Sequence, residues 1–286
     1  MEIEIKGHSG CEIDVVNENG TLVLHKSTND SGYFHRLVNQ IIKQDEFVRI
    51  NTSDLKAPKV FGIKKESNKI TATMEYIYSQ SFIDYFENSG VEKIDSFINS
   101  IISFIETELD NSKMTQIDKC VVLNKYEDVK RKIDTNILYR RDEIASLLSK
   151  VEVYFKKEYY EIPIGVCHGD FTFSNILFSG GIYYAIDFLD SFIESPLIDI
   201  VKIRQDSKYG WSYLMYNERY DETRSYITLK YIDDKIDNYF SKYKFYSDYY
   251  KSFQVLNLLR ILQYAKRDDV IDYLIKTIIQ ALDYED

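Results

Sequence analysis

The chain has 286 residues, 44% hydrophobic and 29% charged, which suits a folded chain of one large domain or two lobes and excludes a disordered one. Its 36 Lys and Arg against 46 Asp and Glu leave a formal net charge of −10, which argues against nucleic acid or an anionic membrane as the main partner. No run approaches the roughly 18 apolar residues of a membrane span, and Met1–Lys6 alternates charged and apolar residues unlike a signal peptide, so a cytoplasmic chain with no membrane insertion is expected. Cys11, Cys120 and Cys167 form no CxxC pair, and the four histidines are scattered, so neither a disulfide framework nor a zinc site is expected. The 25 Tyr and 16 Phe read as core and surface filling, because stacking on bases also needs a basic groove.

In chain order, Glu2–Lys6, Glu12–Val16 and Thr21–Lys26 read as strands, with the Asn19-Gly20 hairpin turn between the last two. The Asn29-Asp30-Ser31 cap region opens a helix to about Val48. Lys59–Ile63 and Lys69–Tyr76 are two more strands about a turn at Ser67-Asn68, and a hinge follows near residues 74–80. Beyond it the pattern turns helical. Phe97, Ile98, Ile101, Ile102, Ile105 and Leu109 make one stripe, and Ile144, Leu147, Leu148 and Val151 a second. Asn175–Phe178 and Ile182–Ile186 flank Ser179-Gly180-Gly181 as a hairpin, and Ile271, Leu274, Ile275, Ile278, Ile279 and Leu282 make the last helical stripe. The expected class is α+β, with a small sheet-bearing N-terminal lobe (1–78) and a larger helical C-terminal lobe (79–286).

The most informative stretch is Cys167-His168-Gly169-Asp170-Phe171-Thr172-Phe173-Ser174-Asn175-Ile176-Leu177, followed after the hairpin by Ile186-Asp187-Phe188. Phosphoryl transfer from a nucleotide needs a carboxylate to take a hydroxyl proton and hard oxygen ligands for magnesium. An Asp and an Asn on one loop, with a second Asp delivered by a hairpin, supply that set. Singly each piece has an ordinary explanation: a strand-end lysine, a turn, a helix-capping acid. Their order on the expected elements is what gives them weight.

The combination HGDxxxxNIL then IDF resembles the aminoglycoside phosphotransferase and choline kinase superfamily, which has the bilobal protein-kinase-like fold. Ser195–Ile200, the Leu22–Lys26 strand, Gly7-His8-Ser9-Gly10 and Met74–Ile77 resemble further pieces of it, over roughly residues 1–206. The resemblance implies Asp170 as catalytic base, Asn175 and Asp187 as magnesium ligands, and Lys26 on the phosphates of ATP or GTP. It implies Ser9 and Gly10 in the phosphate-covering loop, backbone contacts to the purine from Glu75 and Ile77, and Leu24, Leu177 and Met74 around the base. His168 would orient the catalytic loop and Asp199 would brace it. One departure stands out. The helix has no acid where the lysine's partner is expected, leaving Gln40, Gln44 or a register-shifted Glu46 for Lys26.

The resemblance implies a small hydroxyl compound as acceptor: an aminoglycoside, amino alcohol, sugar or polyol. Asp190, Glu194, Arg204, Gln205, Asp206, Trp211 and Tyr213 are the expected wall. Asp190, Glu194 and Asp206 would suit an amine, Trp211 a sugar ring, and Arg204 an anion. Lys26–Phe61 and Ile186–Trp211 also resemble a superfamily branch linked to bacterial surface-polysaccharide biosynthesis, which favours a sugar or polyol. The alternatives are a nucleotide-binding pseudokinase acting through protein interactions and a metal-dependent hydrolase built on His168 and Asp170. The first is disfavoured by the presence of all three motif residues, the second by the shortage of histidine ligands.

Overall fold

The computed structural model describes residues 11–137, 140–216 and 219–283. The expected strand Glu2–Lys6 and the loop carrying Ser9 and Gly10 lie outside the described residues. β1 (Glu12–Glu18) and β2 (Thr21–Thr28) form an antiparallel hairpin. Asn19 and Gly20 both take positive φ, 53° and 88°, as a two-residue turn matched to strand twist demands. α1 (Ser31–Ile50) follows, its N-terminus capped by Asp30, which accepts from the Gly32 amide at 2.9 Å. β3 (Val60–Lys65) and β4 (Ile70–Glu75) complete a four-stranded sheet of order β1-β2-β4-β3. Leu37 and Ile41 of α1 pack on Ile70, Ala72 and Met74 of β4, forming a small core of their own.

The remaining core is one large cluster. α2 (Phe82–Asn88) opens on a reciprocal cap in which Ser81 Oγ accepts from the Asp84 amide at 3.1 Å and donates to its carboxylate at 2.7 Å. α3 (Val91–Asp110) buries Phe97, Ile98, Ile101, Phe104 and Ile105, each contributing about 1.5–3 kcal/mol of burial. β5 (Ser112–Asp118) pairs antiparallel with β6 (Tyr159–Gly165), and α4 (Lys119–Asn136) and α5 (Arg141–Val151) lie between them in the chain. β7 (Ile176–Ser179) and β8 (Ile182–Ala185) form the expected hairpin. Two bridges tie it to the first half of the chain, Gln80 to Phe178 and Lys56 to Tyr184.

α6 (Pro196–Ser207) is the axis of the helical half, buried along almost its whole length. It packs on β6, α3, α8 (Glu222–Phe240) and α9 (Lys244–Leu262), while the short α7 (Trp211–Leu214) and α10 (Asp268–Asp283) close the outside. Ile279 leaves the expected α10 stripe and is exposed. No helix of the described residues is long and apolar enough to cross a membrane.

Candidate functional site

A cavity of about 280 Å³ lies between the sheet and the β7–β8 hairpin. Leu24, Lys26, Met74, Glu75, Ile77, Leu177 and Asp187 all line it, so seven of the residues singled out from sequence meet in one place. The sheet register explains the first of them: Leu24 pairs with Met74 and Lys26 with Ala72, so Leu24 and Lys26, two residues apart, share a face. Met74 is 7% exposed and Lys26 4%.

Lys26 Nζ donates to Asp187 Oδ1 at 2.6 Å and to Gln40 Oε1 at 3.3 Å. Gln40 of α1 is therefore the helix partner left open by the sequence. Gln44 is spent on the Pro58 carbonyl at 2.6 Å, and Glu46 is exposed beside a different cavity. α1 is also held from the other side. Lys43 Nζ reaches the Leu189 carbonyl and Glu194 Oε2, each at 2.5 Å, just beyond Asp187 in the chain. Asp187 itself sits at φ +62°, a left-handed conformation that Asp tolerates better than most residues and that redirects the chain after β8.

The loop around Asp170 is fixed by its own backbone. Gly169 has φ +85°, and a Cβ there would lie 2.1 Å from the Leu189 carbonyl oxygen, so only glycine lets the two segments touch. His168 is fully buried; its Nε2 meets the Ile186 carbonyl at 2.8 Å and its Nδ1 accepts from the Asp170 amide at 3.2 Å. Burial lowers its pKa to about 4, so the ring is neutral at neutral pH, with the proton on Nε2. Its ring lies 4.4 Å from that of Phe188, which in turn meets Phe47 of α1 at 5.3 Å. Asn175 Nδ2 donates to the Asp170 carbonyl at 2.8 Å and to its Oδ2 at 3.0 Å.

α6 supports this loop along one stripe. Asp199, Lys202 and Asp206 are spaced i, i+3, i+7 and so share a face. Asp199 accepts the His168 and Gly169 amides at 2.5 and 2.8 Å. Lys202 Nζ lies 2.9 Å from Asp170 Oδ1. Asp206 accepts the Phe173 amide at 2.6 Å and both the amide and hydroxyl of Ser212, at 2.9 and 2.8 Å. Burial works to raise the Asp170 carboxyl, but the charge and hydrogen bond of Lys202 outweigh it and hold the group below its ordinary value. Glu108 of α3 accepts the His168 amide at 3.0 Å. Burial first, then the neighbouring Asp199 charge, pushes the Glu108 carboxyl well above its ordinary value.

Lys202, Lys43 and Glu108 were not singled out from sequence, although the spacing from Asp199 to Lys202 and Asp206 was a usable signal. Most of the expected acceptor wall is corrected. Arg204 is 1% exposed and points away from the loop, forking onto Asp233 of α8 at 2.8 and 2.9 Å. Gln205 is buried and bonded to Asn257 at 2.7 Å, Tyr213 is core, and Trp211 packs near Tyr273. Asp206 is a buried bracket, Glu194 belongs to Lys43, and exposed Asp190 accepts from Asn39 of α1 at 3.0 Å.

Among the described residues no three His, Cys, Asp or Glu side chains gather as a self-contained metal centre. Asn175 and Asp187 do supply hard oxygens, and the Ile186 amide bonded to the Asn175 carbonyl at 2.9 Å keeps them adjacent. That donor set fits magnesium, which takes few protein ligands and fills its shell with phosphate oxygens and water.

No family model and no curated protein matches the sequence. Solved structures do match. A thermostable mutant of aminoglycoside phosphotransferase APH(4)-Ia, in ternary complex with AMP-PNP and hygromycin B, aligns with a TM-score of 0.65 at 10% identity, over 98% of this chain and 92% of that one. The streptomycin–ATP complex of APH(2")-IIa aligns with a TM-score of 0.56 at 12% identity, over 98% and 91%. The GDP and kanamycin complex of APH(2")-IIia follows at 0.52 and 13%, over 98% and 92%. At such identities the likeness speaks for the backbone arrangement, and it spans nearly the whole of each chain. The chain has the bilobal, protein-kinase-like fold of the aminoglycoside phosphotransferases.

Proposed function

We propose that the chain is an ATP- or GTP-dependent phosphotransferase that moves the γ-phosphate to a hydroxyl of a small molecule. The observation that carries this is the convergence of Lys26 and Asp187, 161 residues apart in sequence, on one 2.6 Å ion pair in a cavity lined by the hinge. Residues 1–78 hold the nucleotide, and residues 79–286 bring the catalytic loop and the acceptor. Leu24, Met74 and Leu177 enclose the base, Glu75 and Ile77 meet its edge through the backbone, and Lys26 holds the phosphates. Ser9 and Gly10 cover the phosphates in this reading. Asp170 accepts the acceptor's proton as its oxygen attacks. His168, neutral and bonded on both nitrogens, is a positioning residue for the loop, as is Asp199. Magnesium, held by Asn175 and Asp187, would supply charge neutralisation to the β- and γ-phosphates. The fold neighbours, complexes of aminoglycoside phosphotransferases with AMP-PNP, ATP or GDP, support the reaction class.

The test is thermal unfolding with ATP and with GTP, each with and without magnesium, on wild type and Asp187→Asn. A nucleotide at about 100 times its Kd adds roughly 2.7 kcal/mol, a rise of about 5–10 °C. A magnesium-dependent rise that Asp187→Asn abolishes is the expected result. No rise with either nucleotide overturns the proposal.

A further inference from the structure

α6 meets the catalytic loop in order along one stripe. Asp199 holds the His168 and Gly169 amides at the start of the loop, and Asp206 holds the Phe173 amide near its end. Lys202 stands between them, and it alone of the three grips a side chain, Asp170 Oδ1 at 2.9 Å. It is also the one residue of α6 that is not buried, so it is where this helix reaches the open side of the loop.

The terminal torsion of an aspartate is broad, so a partly exposed carboxylate with one contact turns about its Cβ–Cγ bond. Asp170 is held by two contacts. Asn175 Nδ2 donates to Oδ2 at 3.0 Å and Lys202 Nζ to Oδ1, one donor on each oxygen. Tethering both oxygens fixes the carboxylate plane, and of its roughly four acceptor positions two remain for an incoming hydroxyl. The lysine comes from the protein side. Its side chain is 12% exposed against 27% for Asp170, which leaves the open side of the carboxylate free. The ammonium is itself seated: Gln205 Oε1 lies 3.5 Å away and accepts from Asn257 of α9 at 2.7 Å, with Gln205 and Asn257 both buried.

We propose, resting on the phosphotransferase reading, that Lys202 is a positioning residue for that reaction: with Asn175 it fixes the plane of the Asp170 carboxylate so that a free lone pair faces the acceptor hydroxyl. Asp170 takes the hydroxyl proton, the oxygen bonds to the γ-phosphorus, and the bridging β–γ P–O bond breaks. The nucleoside diphosphate leaves with that electron pair. Lys202 touches neither the acceptor nor the phosphates in this role and acts through Asp170. A general base works within about 2.6–3.2 Å of the group it deprotonates, and a misplacement of about 1 Å costs about 10²-fold in rate. Loss of one tether therefore shows in turnover and not in nucleotide binding.

The experiment lets water stand in for the acceptor. It follows single-turnover release of phosphate from γ-radiolabelled magnesium ATP or GTP, whichever gives the larger thermal shift, at a series of protein concentrations that separate rate constant from half-saturation. Lys202→Met lowers the rate constant about 10²-fold and leaves half-saturation within about twofold of wild type. Lys202→Arg, which keeps a charged donor on a long stem, recovers about tenfold. The margin by which AMP-PNP exceeds ADP in magnesium-dependent thermal shift is the same in Lys202→Met as in wild type, because the γ-phosphate is not a partner of Lys202. A Lys202→Met rate within about threefold of wild type overturns the inference, as does no recovery in Lys202→Arg or a wild-type rate no faster than that of Asp170→Asn. Weakened half-saturation or a lost AMP-PNP margin also overturns it, by making Lys202 a phosphate contact. Absence of any magnesium-nucleotide shift in wild type overturns the phosphotransferase reading itself.

Discussion

Arg204→Ala is expected to unfold the protein about 10 °C early while leaving its chemistry in place. The side chain is 1% exposed. Its Nε and Nη2 fork onto Asp233 at 2.9 and 2.8 Å, and Nη1 meets Asp237 at 2.7 Å and the Tyr246 hydroxyl. The guanidinium lies 4.6 Å from the Tyr250 ring centre, so one side chain ties α6 to both α8 and α9. Removing it strands the Asp233 carboxylate at 8% exposure, and breaking such a buried pair costs about 3–5 kcal/mol. For a chain this long each kcal/mol moves the midpoint by about 2–4 °C, which sets the expected fall. Arg204→Lys keeps the charge but loses the planar fork, and should fall by about half as much. Arg204→Met with Asp233→Asn should recover part of the loss, because most of the penalty is the stranded charge. The assay is thermal unfolding by circular dichroism, with and without magnesium nucleotide. A midpoint for Arg204→Ala within about 2 °C of wild type refutes the reasoning and returns Arg204 to the acceptor wall.

Other residues give equally direct tests. Asp170→Asn should lower turnover by about 10²–10⁴-fold while keeping the magnesium-nucleotide shift, and a large loss of nucleotide binding contradicts its role as base. Gly169→Ala places a methyl 2.1 Å from the Leu189 oxygen at a left-handed φ, so purified variant with an unchanged midpoint would contradict the contact. Gln40→Ala should weaken nucleotide binding severalfold and Glu46→Ala should not, as read by nucleotide titration. Asp206, whose carboxyl burial raises to about 6 against 3.8 in the unfolded chain, makes the folded state the stronger proton binder between those values. Its contribution is therefore present at low pH and lost as pH rises from 3.8 to 6, by up to about 3 kcal/mol. Asp206→Asn should flatten that section of the stability curve, and parallel curves for the two proteins from acid to neutral pH would count against it.

The site was legible where local signals and order along the chain agreed. Asn19-Gly20 dictates the β1–β2 hairpin, and the period-two register then brings Lys26 and Leu24 to one face. Other features depend on distant partners. Ser112–Asp118 is a strand only because Tyr159–Gly165 pairs with it across two helices, and its own apolar pattern is weak. The acceptor wall failed for a geometric reason. Arg204, Gln205 and Asp206 are consecutive on a helix, so they point about 100° apart and cannot line one wall. The residue that does face Asp170 is Lys202, visible by counting three from Asp199 rather than by reading neighbours together.

The double hold on Lys43 has a consequence for control. In protein kinases the position of the helix beside the phosphate lysine controls activity. Here an outward swing of α1 would pull Lys43, 7% exposed in its present seat, from both the Leu189 carbonyl and Glu194. A charge-assisted bond of this kind is worth about 1.5–3 kcal/mol, so losing both contacts keeps the displaced helix below about one per cent of molecules. The helix is thus bolted in place by the same segment that delivers Asp187.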